Sequence, residues 1–214
     1  MNPVLRRLKD DWQLPVAPDL PGGKVRVATP PADDEKQVEF YWVGSAARHA
    51  GTIVHRFLQR ISDGRVAIDP ANVATLRPVS KTWARNLGVG EEHLDEVCKR
   101  VEDALSGITS DEKGNWVLFG DGDTELPISG LVDGGVESVV IDRIRIDEEG
   151  VHWIVDYKTS THEGGNLAGF LQQETDRYRP QLEKYVALYS NLTDAPVRAA
   201  LYFPLLQEFC EIRL

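Results

Sequence analysis

Residues 139–160 read V-V-I-D-R-I-R-I-D-E-E-G-V-H-W-I-V-D-Y-K-T-S. Polar and apolar residues alternate along 136–146 and again along 151–159, the period expected of paired strands. The turn between them, Glu148-Glu149-Gly150, ends on a glycine that tolerates positive φ. A three-residue loop there sets Asp147 opposite Val151, and the same register carries Asp142 opposite Asp156. Alternation predicts Asp142 on one face with Val140, Ile144 and Ile146, and Arg143 and Arg145 on the other. In the second strand Ile154, Asp156 and Lys158 share a face, with Val155 and Tyr157 behind. No other stretch constrains the fold as much, because a slip of one residue would turn every side chain to the wrong side.

Around this hairpin the periodicity divides the chain. Residues 1–44 carry Pro15, Pro18, Pro21, Pro30 and Pro31 with Gly22–Gly23, and read as a Pro-rich arm or linker before a domain over 45–214. Ser45 caps a helix whose apolar positions Ile53, Val54, Phe57, Leu58 and Ile61 recur at three and four, ending near Asp63–Gly64. Residues 70–87 read as helical with a break at Pro78, and 91–105 as a further helix. From Asn115 the reading turns to strands: 116–119, 125–131, 136–146 and 151–159. A loop at Gly164–Gly165 precedes a helix over 178–192, and 197–203 and 209–214 supply two last strands. Helices, then a meander, then helix and strand predict an α+β or α/β core.

Composition narrows the classes. The chain has 214 residues, 42% hydrophobic and 27% charged, which suits about one folded domain and excludes a disordered or collagen-like chain. No apolar run approaches the roughly 20 residues of a membrane span, and the N-terminal residues lack a signal-peptide pattern. A soluble cytoplasmic protein without membrane contact is expected. Cys98 and Cys210 are the only cysteines, too few for a disulfide framework, a four-thiolate zinc site or an iron–sulfur cluster. The formal charge of −10 argues superficially against nucleic acid. Yet residues 91–125 hold eleven acids against Lys99, Arg100 and Lys113, so most of the negative charge sits in one segment. A nucleic-acid partner survives if that segment lies away from the ligand.

Directly opposed residues on paired strands have Cβ atoms about 4.5–5.5 Å apart, and like charges there repel unless something bridges them. A divalent cation is the natural bridge between Asp142 and Asp156, and oxygen donors without thiolate favour Mg²⁺ or Mn²⁺. Lys158 then stands where it can orient or deprotonate a water, or neutralise charge developing on phosphorus. The same residues admit a second assignment, a buried structural ion pair between Asp142 and Lys158.

Asp142 in I-D-R-I, followed after the turn by Asp156-Tyr157-Lys158-Thr159, resembles the core of PD-(D/E)XK nucleases, in the branch typified by the nuclease domains of RecB and AddA. Three further segments agree, in the family's order. Gly51-Thr52-Ile53-Val54-His55-Arg56-Phe57-Leu58 resembles that branch's upstream helix with its metal-binding His. Glu125 before Leu126-Pro127 resembles the acid entering the first core strand, and Gln181-Leu182-Glu183-Lys184-Tyr185 its Q-x-x-x-Y helix. Taken singly, each is an ordinary core histidine, loop acid or helix-face pair; their order carries the likeness. Trp12-Gln13-Leu14-Pro15 also looks like the link preceding the nuclease in some helicase–nucleases.

The resemblance implies a restriction-endonuclease-like core, a mixed sheet flanked by helices. It implies a Mg²⁺- or Mn²⁺-dependent DNA exonuclease serving DNA end processing, repair and recombination. His55, Asp142, Asp156 and the Tyr157 main-chain carbonyl would hold one or two ions, with Glu125 as an additional acid. Lys158 would serve the attacking water, and Gln181 and Tyr185 would position the DNA backbone or Lys158. No G-x-x-x-x-G-K-[ST] loop is present, so there is no ATP site of that kind and a helicase motor would act in cis or in trans. The alternative is a non-catalytic, nuclease-like DNA-binding or assembly module.

Overall fold

Five strands, β1 (Thr124–Val132), β2 (Gly135–Ile146), β3 (His152–Tyr157), β4 (Val197–Phe203) and β5 (Glu208–Ile212), form one sheet in sequence order. The computed structural model describes residues 35–132 and 135–213. β1 pairs with β2 and β2 with β3 antiparallel, β3 and β4 are parallel, and β4 and β5 antiparallel, so the sheet is mixed. The parallel step needs a crossover, supplied by the helix α5 (Leu167–Tyr189).

Helices cover both faces, as the apolar content of the central strands requires. Trp153, Val155, Tyr157, Ala200 and Tyr202 pack with the apolar stripe of α1 (Glu35–Ser62) and with α3 (Leu94–Ser110) and α4 (Glu112–Leu118); α2 (Arg77–Asn86) lies against α3. Ile154, Ala199, Leu201 and Phe203 pack instead with Leu182, Tyr185 and Leu188 of α5. Among the described residues no helix is long and apolar enough to cross a membrane.

The predicted register of the hairpin holds. Ile146 pairs with His152 and Arg143 with Val155, the Asp147 N–H donates to the Val151 carbonyl at 3.0 Å, and Gly150 has φ 77°. Several boundaries differ from the sequence reading. α1 starts at Glu35, upstream of Ser45, because the segment from Glu35 contains no proline to stop it; the Pro-rich stretch before it lies outside the described residues. Residues 116–119 do not form a strand: Trp116–Leu118 end α4, whose N-cap Asp111 accepts from the Gly114 N–H at 2.7 Å. A run of four apolar residues has no period of its own, and the cap decided it. Pro78 stands at the start of α2, where its missing N–H costs nothing, and Pro180 lies inside α5, which begins at Leu167, capped by Asn166, rather than near Tyr178.

Candidate active site

Two register relations set the acids in line. In β1, Thr124 pairs with Arg143 and Leu126 with Ile141, so Glu125 stands across from Asp142. On its other side, the β2–β3 ladder ends at Arg143 and Val155, and one residue further along Asp142 and Asp156 follow in the same register. Three adjacent strands therefore carry Glu125, Asp142 and Asp156 in one row.

The alternation of β2 breaks at this row. Ile141 and Ile144, three positions apart, are both fully buried against α5, while Val140, expected on the side of Asp142 and Ile144, is 46% exposed. Opposite the break, Glu125 has φ 47°, a left-handed backbone that costs a non-glycine residue about 1 kcal/mol or more. Irregularities of this kind re-aim side chains beside functional sites, and here the result brings Asp142 toward α1. Its Oδ2 accepts from the Tyr157 N–H at 2.9 Å and its Oδ1 lies 3.4 Å from His55 Nδ1.

His55 reaches the row because Ile53, Val54, Phe57 and Leu58 bury the neighbouring stripe of α1, leaving His55 at the edge of the interface. Gly51, one turn earlier, lets α1 approach the end of β3: a Cβ there would stand 2.9 Å from Thr159 Oγ1. His55 Nε2 lies 3.0 Å from the Tyr157 carbonyl oxygen. Both ring nitrogens thus face acceptors, whereas a neutral imidazole has one N–H. The conflict is relieved by a proton or by a cation. Burial works against the charged ring, but the hydrogen bond and charge of Asp142, with Asp156 and Glu125 behind it, hold its pKa above the ordinary value.

Ligand atoms of His55, Glu125 and Asp142 all lie within 4.8 Å of one another and border an open cleft of about 430 Å³ with Thr52, Arg56 and Gln59. Burial and the nearby Asp142 charge raise the Glu125 pKa, with His55 opposing. Two carboxylates and an imidazole without thiolate suit a hard divalent cation, and the double acceptor environment of His55 fits it independently.

Asp156 is almost wholly buried at 3% exposure. Burial, then repulsion from Asp142, push its pKa up to about 6 against the pull of Lys158. Lys158 Nζ lies 2.7 Å from Asp156 Oδ2, and Gln181 Nε2 donates to Asp156 Oδ1 at 2.9 Å and to the Tyr185 hydroxyl oxygen at 2.6 Å. Residues 37–209 match the PD-(D/E)XK nuclease superfamily. The chain belongs to that superfamily. No curated protein matches it.

PD-(D/E)XK nucleases use divalent metals and act on DNA, and every side chain named from the sequence is found in this neighbourhood. The geometry redistributes them. His55, Glu125 and Asp142 form the closest donor set, so Glu125 is a full member. Asp156 stands beside that set with its oxygens on Lys158 and Gln181, and the Tyr157 carbonyl faces His55. The buried ion pair weighed for Asp142 and Lys158 is formed by Asp156 and Lys158 instead.

The sequence reads Tyr178, with Arg177, Arg179 and Lys184, as a basic–aromatic cluster that is equally a phosphate contact or a solvated face, and assigns Arg143 and Arg145 no role in this PD-(D/E)XK chain beyond a strand face. The Tyr178 ring lies 3.8 Å from Lys158 Nζ, so the ammonium sits between a carboxylate and an aromatic face. Tyr178 precedes Gln181 by three, and that helical spacing was the available signal. Arg143 and Arg145, buried at 1% and 7%, tie the end of α4 to β2. Arg143 donates to the carbonyls of Val117 at 2.9 Å, Asp123 at 3.4 Å and Gly120, and Arg145 donates to that of Trp116 at 2.8 Å. Backbone oxygens left open at the helix end thereby find partners, and the segment leading to Glu125 is held in place.

Proposed function

We propose that the chain is a Mg²⁺- or Mn²⁺-dependent DNA exonuclease of the RecB/AddA type, working with a helicase motor in DNA end processing. One observation carries the reading: an acid row on three strands, completed by His55, stands beside a lysine held against its last carboxylate. In this reading His55, Glu125 and Asp142 hold the ion, with Asp156 and the Tyr157 carbonyl as further oxygen donors. A divalent ion bound there supplies Lewis-acid polarisation of the phosphoryl group and a water of lowered pKa. The protein's part is positional. Lys158 Nζ orients the attacking water and offsets negative charge growing on phosphorus. Asp156 and the Tyr178 face fix that ammonium, and Gln181, itself bonded to Tyr185, fixes Asp156.

The test is cleavage of end-labelled linear and closed circular DNA by the full chain with Mg²⁺ or Mn²⁺, beside an EDTA control, Asp156→Ala and Lys158→Ala. Metal-dependent loss of the linear substrate alone, absent from both variants, supports the exonuclease. Cleavage of both substrates replaces it with an endonuclease, and metal-independent cleavage removes the reading. Lys158→Ala should keep metal binding and lose at least about a hundredfold in rate, the range for a positioned proton-transfer or charge-stabilising group. Absence of both cleavage and metal binding would favour the non-catalytic module.

A further inference from the structure

His55 borders two clefts. On one side lie the metal-type donors; on the other is a second cleft of about 510 Å³, lined by Arg48, His55, Arg100, Lys158, Ser160 and Arg177 among others. Among the described residues no carboxylate lines it, although the chain carries 34 acids against 24 lysines and arginines. Four cationic side chains converge there from separate places: Arg48 from α1, Arg100 from α3, Lys158 from beyond β3 and Arg177 from α5.

Their partners leave donors to spare. Arg100 gives Nη2 to the Thr159 carbonyl at 2.8 Å, while its Nε is buried and, among the described residues, has no hydrogen-bond partner. A buried guanidinium N–H left unmade is costly unless a ligand meets it. Arg48 is exposed and, among the described residues, forms no ion pair. Arg177 touches Glu174 Oε1 at 3.4 Å, and the other oxygen of Glu174 holds the Ser160 hydroxyl at 3.2 Å, so the rim is ordered from beneath. Of the acids flanking Arg100 on α3, Asp95 and Glu102 are occupied by Arg77 and Asp103 by Lys99. The acidic segment therefore presents a cation, not its carboxylates, to this cleft.

We propose that this cleft seats the phosphodiester adjacent to the scissile one on the strand being cut, with Arg48 and Arg100 as its principal contacts and Arg177 at the rim. The inference rests on the nuclease reading and adds the path of the backbone, which crosses His55 from the acid row to the cationic cleft. Phosphate contacts fix register without reading bases, so the seat is indifferent to sequence.

The experiment measures oligonucleotide binding to the full chain by fluorescence anisotropy across a salt series, with Ca²⁺ in place of the catalytic ion, for the wild type, Arg48→Gln, Arg100→Gln, Arg100→Lys and, as control, Lys81→Gln. Arg48→Gln and Arg100→Gln should each weaken binding about tenfold and flatten the salt dependence by about 0.7–0.9 in the log–log slope. Lys81→Gln should do neither, and Ca²⁺ affinity should be unchanged throughout. Replacing the adjacent phosphate by a neutral methylphosphonate should weaken the wild type by a similar factor and Arg48→Gln no further. Arg100 also tethers Thr159, so a folding defect in its variants leaves exposed Arg48 to decide. Full affinity and salt slope in Arg48→Gln, in a chain whose wild type cleaves DNA, would overturn the cleft alone. A wild type that neither binds nor cleaves would overturn the underlying reading, and the cleft with it.

Discussion

Gln181 Nε2 donates to Asp156 Oδ1 across 2.9 Å, linking the helix on one face of the sheet to the last acid of the row. The other oxygen of Asp156 faces Lys158 at 2.7 Å, so the buried carboxylate is held from two directions by groups of different charge. The amide supplies direction without neutralising Asp156, and the lysine supplies charge. That division keeps the carboxylate ionisable near neutral pH despite its burial.

Gln181→Ala removes a hydrogen bond to a charged, buried group, an interaction of about 1.5–3 kcal/mol. The variant should melt lower and cleave about tenfold more slowly in single turnover while binding metal in the same stoichiometry. Tyr185→Phe, which leaves the bond to Asp156 in place, should show a smaller loss in both. Equal rates in Gln181→Ala and wild type would remove Gln181 from the positioning of Asp156.

Asp142→Asn preserves an acceptor for the Tyr157 N–H while removing the charge between Glu125 and Asp156. Calorimetric titration with Mn²⁺ should show binding abolished. Melting of the metal-free variant near pH 7.5 should be unchanged or higher than wild type, because like-charge repulsion across the ladder is relieved. A variant that still binds Mn²⁺ would take Asp142 out of the ligand set.

The metal-free protein should lose stability as pH rises from about 5.5 to 8. His55 has a raised pKa, so its contribution is present below its unfolded value of 6.5 and lost as pH climbs through the folded one. Asp156, raised to about 6 from 3.8, and Glu125, also raised, favour the folded state when protonated and oppose it once ionised. All three act in the same direction, and thermal melting in EDTA should show a higher midpoint at pH 5.5 than at pH 8. Divalent metal should reverse the trend, since its ligands bind deprotonated. A flat profile in EDTA would contradict the electrostatics described for the row.

Arg143→Met keeps most of the buried volume and abandons the carbonyls of Val117, Gly120 and Asp123. Unsatisfied buried acceptors cost about 1–3 kcal/mol each, so chemical denaturation should report a loss of several kcal/mol. Metal affinity should fall as well, because the segment anchored by Arg143 leads directly into Glu125. A variant as stable as wild type would show that the α4–β2 junction does not depend on this arginine.

Much of the site was legible in the chain because its determinants are local. Period-two alternation and a three-residue turn ending in Gly150 are enough to place Asp142 opposite Asp156, and helical spacing puts Gln181 and Tyr185 on one face. The reading failed where local signals are weak: Trp116–Leu118, too short to show a period, took the helical form that the Asp111 cap and the arginines of β2 select.

The sequence by itself determined the mixed helix-and-strand order, the hairpin register and the residue types of the site, all encoded in neighbours along the chain. Tertiary structure alone decided the break in β2 at Asp142, the entry of Glu125 into the donor set and the pairing of Lys158 with Asp156 rather than Asp142. It alone gathered Arg48, Arg100 and Arg177 around one cleft. The reason is physical: these arrangements depend on burial and charge supplied by segments remote in sequence, whose desolvation and mutual repulsion exist only once the layers have packed.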